Sequence, residues 1–183
     1  MSLNDFLSLS KLEEGIVRNN PEHLHISEFS KDIVEELKET ARQHQEIIYV
    51  HKGSDDVIAD KQMLKNILIN LISNAIKYSQ EGKKIYFNTE AGNDFLKIVI
   101  RDEGIGIPEE DQDMLFERFF RAHNAGNIQG TGLGLNIVKK HVELMQGRIG
   151  FTSALGKGTT FTIELPFPGK QQKHKTNEND FAD

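Results

Sequence analysis

The chain has 183 residues, 37% hydrophobic and 27% charged, with a formal net charge of −6 and no cysteine. That length supports one domain with a sizeable core, and the balance is that of a folded soluble chain. Disulfides and cysteine-ligated metals are excluded, a general nucleic-acid or anionic-membrane binder is disfavoured by the charge, and neither a membrane span nor a signal segment is visible, so a cytoplasmic α/β domain is expected.

The opening NDFLSLSKLEEG is apolar at Phe6, Leu7, Leu9 and Leu12. This spacing predicts the last turns of a helix stopped by Gly15, short enough to be the tail of a longer one. Asn19-Asn20-Pro21 marks a loop. A charged amphipathic helix is predicted from Ser30 to about His44, with Ile33, Val34, Leu37 and Ala41 inward, and Glu46 to His51 reads as a strand. The strongest helical pattern runs from Asp60, a suitable N-cap, to Tyr78. Two alternating strands follow, Lys84 to Thr89 and Phe95 to Asp102, joined through Gly92-Asn93-Asp94. Pro108 suits the first turn of a helix over EEDQDMLFERFF, whose Phe116, Phe119 and Phe120 read as core. Residues 122 to 131, AHNAGNIQGT, read as a mobile loop. A helix from about Leu133 to Gln146, capped by Gly147, precedes closing strands at Ile149 to Ser153 and Thr159 to Leu165. The polar end KQQKHKTNENDFAD is expected to be disordered, and no internal repeat is visible.

Three groups of residues carry chemistry. Asn66, Asn70, Asn74 and Lys77 form one stripe of the long helix, beside its apolar arc. Asparagine competes for backbone hydrogen bonds and does little for a helix. The stripe fits a solvated face and, equally, a site where amide oxygens meet a hard cation and a lysine meets phosphate. Second, GTGLGL at 130–135 opens a helix, where unpaired N–H groups favour an anion. It lacks the Rossmann spacing, and GKGTTF at 156–161 lacks that of a phosphate loop, so each alone is a turn signal. Third, the strand ending RDEGIGIPEE places Asp102 directly before Gly104 and Gly106, implying a backbone that passes close to something. The seven histidines show no metal-ligand spacing.

Taken in order, NLISNAIKYS (70–79), DEGIGIP (102–108), FERFFRA (116–122), GTGLGL (130–135) and GKGTTFTIELP (156–166) resemble the N box, glycine boxes, F box and final G-x-G-T-x-F segment of sensor histidine kinases. Each motif alone is weak; all five in order, over residues 24 to 167, are highly specific. The resemblance implies an α+β fold, the two-layer Bergerat ATP-binding sandwich: a mixed, mostly antiparallel sheet under helices, with a flexible ATP lid. It implies three parts: residues 1–18 as the end of an upstream dimerisation and phosphoacceptor hairpin, 19–168 as the ATP-binding catalytic domain, and 169–183 as a polar tail. ATP and Mg²⁺ are the implied cofactors.

Site roles follow from the same resemblance. Asp102 would accept from the adenine amino group, supported by Thr159 through a water. Gly104 and Gly106 would let the backbone approach the nucleotide, beside Ile107. Asn74 and Asn70 would face Mg²⁺, Lys77 a phosphate, and Tyr78 the base or ribose. Gly130, Thr131, Gly132, Leu133, Gly134 and Leu135 would cradle the phosphates. Arg121 would neutralise the γ-phosphoryl group in transfer, with no Lys or Arg in 122–129 to replace it.

Related ATPases carry a water-activating glutamate where this chain has Asn70. An amide is no general base near neutral pH, so a kinase is favoured over a topoisomerase-like ATPase. No histidine here stands in the acidic and Arg-Pro context of a phosphoacceptor. The expected protein is therefore a catalytic domain that binds Mg-ATP without phosphorylating itself. Its expected partners are the upstream hairpin, within a homodimer, and a response regulator; nucleic acid is not expected, and the chain alone should be monomeric or weakly associating. A nucleotide-binding regulatory module and a serine-directed kinase or ATPase of the same superfamily are the alternatives. The parent could be a membrane-bound sensor with this domain in the cytoplasm.

Overall fold

A computed structural model describes residues 3–126 and 128–169. Its elements are helix α1 (Leu3–Glu13), strand β1 (Glu22–His25), α2 (Ile26–Lys38), β2 (Glu46–Gly53), β3 (Asp56–Ala59), α3 (Lys61–Tyr78), β4 (Lys84–Ala91), β5 (Phe95–Asp102), α4 (Glu109–Gln112), α5 (Gly134–Leu144), β6 (Arg148–Ala154) and β7 (Gly158–Pro166). The main sheet has the order β2-β4-β5-β7-β6, with β2 and β4 parallel and the other pairs antiparallel. β1 and β3 form a separate antiparallel pair.

Alternation along the strands builds the core. Ile85, Phe87, Leu96, Ile98, Ile100, Phe161, Ile163 and Leu165 are all buried, because successive side chains in a strand point to opposite faces. The register aligns Phe87 with Ile100, Ile100 with Phe161, and Phe161 with Phe151, so one apolar row crosses four strands. Helices α2 and α3 cover this face through Ile33, Val34, Leu37, Leu64, Ile67, Leu68, Leu71 and Ile72. The sandwich expected from the motifs is thus the fold observed, with one parallel pair making the sheet mixed.

The start of α3 is set as its sequence predicts. The Asp60 carboxylate accepts from the Met63 N–H at 2.9 Å and from the Asn20 N–H at 2.8 Å. Replacing an N-cap acid by alanine typically removes about 1 kcal/mol. Asp60→Ala, which also orphans the Asn20 N–H, is expected to lower stability by about 1–2 kcal/mol. A lower urea midpoint with an unchanged slope is the measurement that checks it.

Elsewhere the boundaries move. Helix α2 begins at Ile26, not Ser30, because its cap is distant in sequence: Ser27 N–H donates to Asp55 Oδ1 at 2.8 Å, and Ile26 N–H to the Asp55 carbonyl at 2.9 Å. Hydrogen bonds from Ser27, foremost, hold the Asp55 carboxyl below its ordinary range. The helix expected over 109–120 is only the four residues of α4; beyond them the chain runs in turns. Phe116 packs edge-on to Phe151 and Phe161, at centroid distances of 5.9 and 6.5 Å. Phe119, expected in the core, is 54% exposed, since its backbone sits at φ 62° with its N–H on the Gly132 carbonyl. Such a conformation turns the side chain outward.

The expected mobile loop at 122–131 starts with an anchored turn. The buried Asp111 carboxylate takes both the His123 N–H (2.7 Å) and His123 Nδ1 (2.6 Å), which holds its pKa below the usual value. Asn124 Nδ2 donates to the Gly106 carbonyl at 2.8 Å. From residue 170 the expected disordered tail lies outside the described residues, as does residue 127 of the loop. Among the described residues, no helix is long and apolar enough to cross a membrane.

Candidate functional site

Strand β5, helix α3, the 121–132 loop and the start of α5 meet around a cavity of about 510 Å³. The residues singled out in the sequence converge there. Asn70, Asn74, Lys77 and Tyr78 line it from α3; Asp102, Gly106 and Ile107 from the end of β5; Arg121 from the loop; Gly130, Thr131, Gly132, Gly134 and Leu135 from the glycine cluster; Thr159 from β7. Two expected residues are set back. The Leu133 side chain is fully buried against Leu9 and Ile137, and its N–H points to the Thr131 hydroxyl at 3.3 Å. Gly104 does not line the cavity.

Asp102 sits at the buried end. Its Oδ1 accepts from the Gly104 N–H (2.8 Å) and the Thr159 N–H (3.3 Å). Burial nonetheless raises its pKa to about 6, with those two hydrogen bonds opposing the shift. Thr159 therefore supports Asp102 directly through its backbone, while its hydroxyl bonds Ser153 Oγ at 2.8 Å. Both protons at hand come from the protein, and the carboxylate keeps acceptor capacity toward the cavity.

The two glycines after Asp102 have a different reason from the one expected. A Cβ on Gly104 would lie 2.5 Å from the Tyr78 carbonyl oxygen and 2.7 Å from Asp102 Oδ1; one on Gly106, at φ 66°, would lie 2.0 Å from the Ala154 carbonyl oxygen. Ile105 N–H bonds the Tyr78 carbonyl and Gly156 N–H the Ile105 carbonyl, at 3.1 and 2.7 Å. The close approach is of protein to protein: it presses the exit of β5 between α3 and the β6–β7 turn, and so fixes Asp102.

On α3, Asn70 Nδ2 donates to the Asn66 carbonyl at 2.8 Å. A carbonyl can only accept, so the amide nitrogen is committed there and Oδ1 faces away. That oxygen would be 2.7 Å from a Cβ on Gly134, so the asparagine stripe and the first residue of α5 abut. An outward amide oxygen beside a helix N-terminus suits a hard cation that shares phosphate oxygens. Among the described residues no cluster of three His, Asp or Glu could hold a metal, so a cation here would lean on the ligand's own oxygens. Lys77 Nζ lies 5.0 Å above the Tyr78 ring, and a Cβ on Gly130 would meet that Nζ at 3.2 Å. Burial raises the Tyr78 pKa, and the positive Arg121 opposes the shift. Arg121 Nη2 donates to the Gly126 carbonyl at 3.3 Å and to the Ile128 carbonyl.

One end of the cavity thus offers amides, a lysine, an arginine and a helix N-terminus; the other offers Ile105, Ile107, Leu115, Phe120 and Ala125 around one carboxylate. That is a place for a polyanion joined to a flat apolar body with a donor on it. Sequence reasoning missed Ser8 of α1, Ile105, Phe120 and Asn124, which also line the cavity. Phe120 and Asn124 belong to segments singled out in the sequence, but neither carries a periodic signal for the site.

Residues 59–169 match the family described as histidine kinase-, DNA gyrase B-, and HSP90-like ATPase. The sensor histidine kinase WalK of Bacillus subtilis is 38% identical over 175 residues, which are 93% of this chain and 29% of that protein. The chain therefore spans under a third of that curated relative. Among solved structures, full-length ShkA in complex with AMPPNP superposes with a TM-score of 0.79 at 26% identity, over 90% of this chain and 35% of that one. The nucleotide-free catalytic domain of the histidine kinase ThkA gives 0.69 at 27% identity, over 81% of this chain and 98% of that one.

Proposed function

Since the chain belongs to the histidine kinase-, DNA gyrase B-, and HSP90-like ATPase family, we propose that it is the ATP-binding catalytic domain of a sensor histidine kinase, handing the γ-phosphoryl group of Mg-ATP to a histidine on a separate helical hairpin. The observation that carries this reading is the junction of Asn70 and Asn74, the 130–135 glycine cluster and the buried Asp102 in one cavity. In it, Asp102 reads the adenine amine, Lys77 and the backbone at Gly130 to Gly134 hold phosphates, and the Asn70 and Asn74 amide oxygens face the cation. Mg²⁺, when bound, supplies charge neutralisation between phosphate oxygens. Tyr78 closes the wall beside Lys77.

The missing base matters as much as the groups present. Asn70 cannot take a proton from water, so hydrolysis is slow and the phosphoryl group waits for a nucleophile that needs no activation. A neutral imidazole is such a nucleophile. On this reading residues 1–18 end the acceptor hairpin, residues 19–168 form the catalytic unit, and a response regulator receives the group afterwards, in the cytoplasm.

Calorimetric titration of Mg-ADP and of a non-hydrolysable ATP analogue tests the binding half. Label transfer from γ-labelled ATP to a separately produced acceptor hairpin tests the other. Binding without transfer to any hairpin favours the regulatory-module alternative; no binding to the folded protein removes both readings.

Arg121 is expected to act after binding. It is held on the loop carbonyls at 126 and 128, and its work begins when it turns to the transferring group. Arg121→Ala should lower transfer by about 10²–10³-fold, the scale of removing one preorganised charge from a transition state, while ADP affinity changes by less than about threefold. Single-turnover transfer beside ADP titration separates the two.

A further inference from the structure

The amide of Asn124 is held in one orientation. Its Nδ2 donates to the Gly106 carbonyl at 2.8 Å, and because that carbonyl can only accept, the oxygen must face the other way. Oδ1 is buried and has no hydrogen-bond partner among the described residues. A buried acceptor left unpaired is uncommon in a folded protein and calls for an explanation. Its setting provides one. Asn124 lines the cavity, at the apolar end, together with Ile105, Ile107, Leu115 and Ala125. It hangs from Gly106, in the same five-residue segment whose other end is Asp102. The turn carrying it is fixed by Asp111 through the two contacts to His123. A rigidly placed, desolvated acceptor in a flat apolar slot is a recognition group.

We infer that Asn124 is a specificity-determining residue: its Oδ1 accepts a hydrogen bond from the exocyclic amine of a bound aminopurine nucleotide, so that two acceptors, Asp102 and Asn124, read one amino group. An amine has two hydrogens, and one carboxylate oxygen uses only one of them. A 6-oxo purine would set oxygen against both acceptors, so discrimination exceeds what Asp102 gives alone. The sugar hydroxyls are less suited to a slot of isoleucine, leucine and alanine than a base face is. This inference rests on the nucleotide reading and adds the second base contact to it.

The experiment is a binding cycle: wild type and Asn124→Ala, each titrated with ADP, with the 6-unsubstituted purine riboside diphosphate, and with 2′-deoxy-ADP. Loss of the amine should weaken binding to the wild type by more than about tenfold. In Asn124→Ala, ADP should weaken by about tenfold, and the further penalty for losing the amine should shrink by a similar factor. An amine penalty equal in both proteins would overturn the proposal, leaving Asn124 as an anchor for the loop. A penalty that shrinks for the 2′-hydroxyl instead would overturn it too, assigning the acceptor to the sugar. Should the variant not fold, the Asn124 side-chain amide NMR resonance of the wild type decides: a shift with ADP that is absent with the deaminated analogue supports the inference, and equal shifts refute it. Folded wild type that binds none of the three nucleotides refutes the nucleotide reading itself, which is a distinct result.

Discussion

Asp102→Asn is expected to abolish ADP binding, by at least about 100-fold, while making the unliganded protein more stable. Both effects come from one geometry. Asp102 Oδ1 is committed to the N–H groups of Gly104 and Thr159. An asparagine placed there must keep its oxygen on those donors, which turns its NH₂ toward the cavity. A donor then faces the amine of the base, so a charge-assisted bond is lost and a repulsion added, about 2.7 kcal/mol or more together.

The stability gain follows from the raised pKa. The folded protein holds the Asp102 proton up to about pH 6, whereas the unfolded chain releases it near 3.8. The folded state thus binds more protons between those values, and stability falls as pH rises through them. Above that window the ionised carboxylate costs the fold up to about 3 kcal/mol. The amide variant has no charge to bury, so near neutral pH it should melt a few degrees higher, by about 1–2 kcal/mol. Below about pH 3.8 the two proteins should melt close together, because the wild-type group is then largely neutral in both states. Melting curves on either side of the window check this, and a variant less stable near neutral pH would contradict the burial argument.

Gly106→Ala is expected to be the most damaging single methyl in the molecule. Its Cβ would need the space 2.0 Å from a carbonyl oxygen of β6 and a φ of 66°. The left-handed backbone alone costs about 1–2 kcal/mol. Relieving the clash means moving the segment that carries the bonds from Gly156 N–H to Ile105 and from Ile107 N–H to Ser153. The total should reach about 3–5 kcal/mol, in the range reserved for broken packing. Gly82→Ala is the control: φ is 73° but nothing lies within 4 Å, so only the backbone cost of about 1–2 kcal/mol remains. Chemical denaturation of both variants separates conformation from contact.

What the sequence makes legible follows physical range. The period of α3 and the alternation of β4 and β5 are local, and can be read directly. The start of α2 cannot, since Asp55 caps it from 28 positions away. The strands β1 and β3 have four residues each, too few to show alternation. Phe119 reads as core because apolar spacing cannot register a positive φ imposed by packing against Gly132. At the site, the order of the motifs identifies the cavity walls, and the glycines at 104 and 106 stand out as points of close approach. Their neighbours there, Tyr78 and Ala154, come from other elements and can be known only from the fold. Asn124 is invisible in sequence for the same reason: its meaning lies in one bond to a carbonyl 18 positions back.

The pairing of β5 with β7 has a consequence for how this protein can vary. The two central strands are joined through a connection of roughly 55 residues that contains α4, the loop, α5 and β6. The entropy of closing such a connection rises only with the logarithm of its length, so about ten residues inserted near Gln129 would alter it by less than about 0.2 kcal/mol. Segment length over the mouth of the cavity is therefore almost decoupled from the integrity of the sheet beneath. Chains of this architecture can lengthen, shorten or recompose that cover, and with it the rate at which nucleotide enters and leaves, while the carboxylate at the floor stays where the register of two strands puts it.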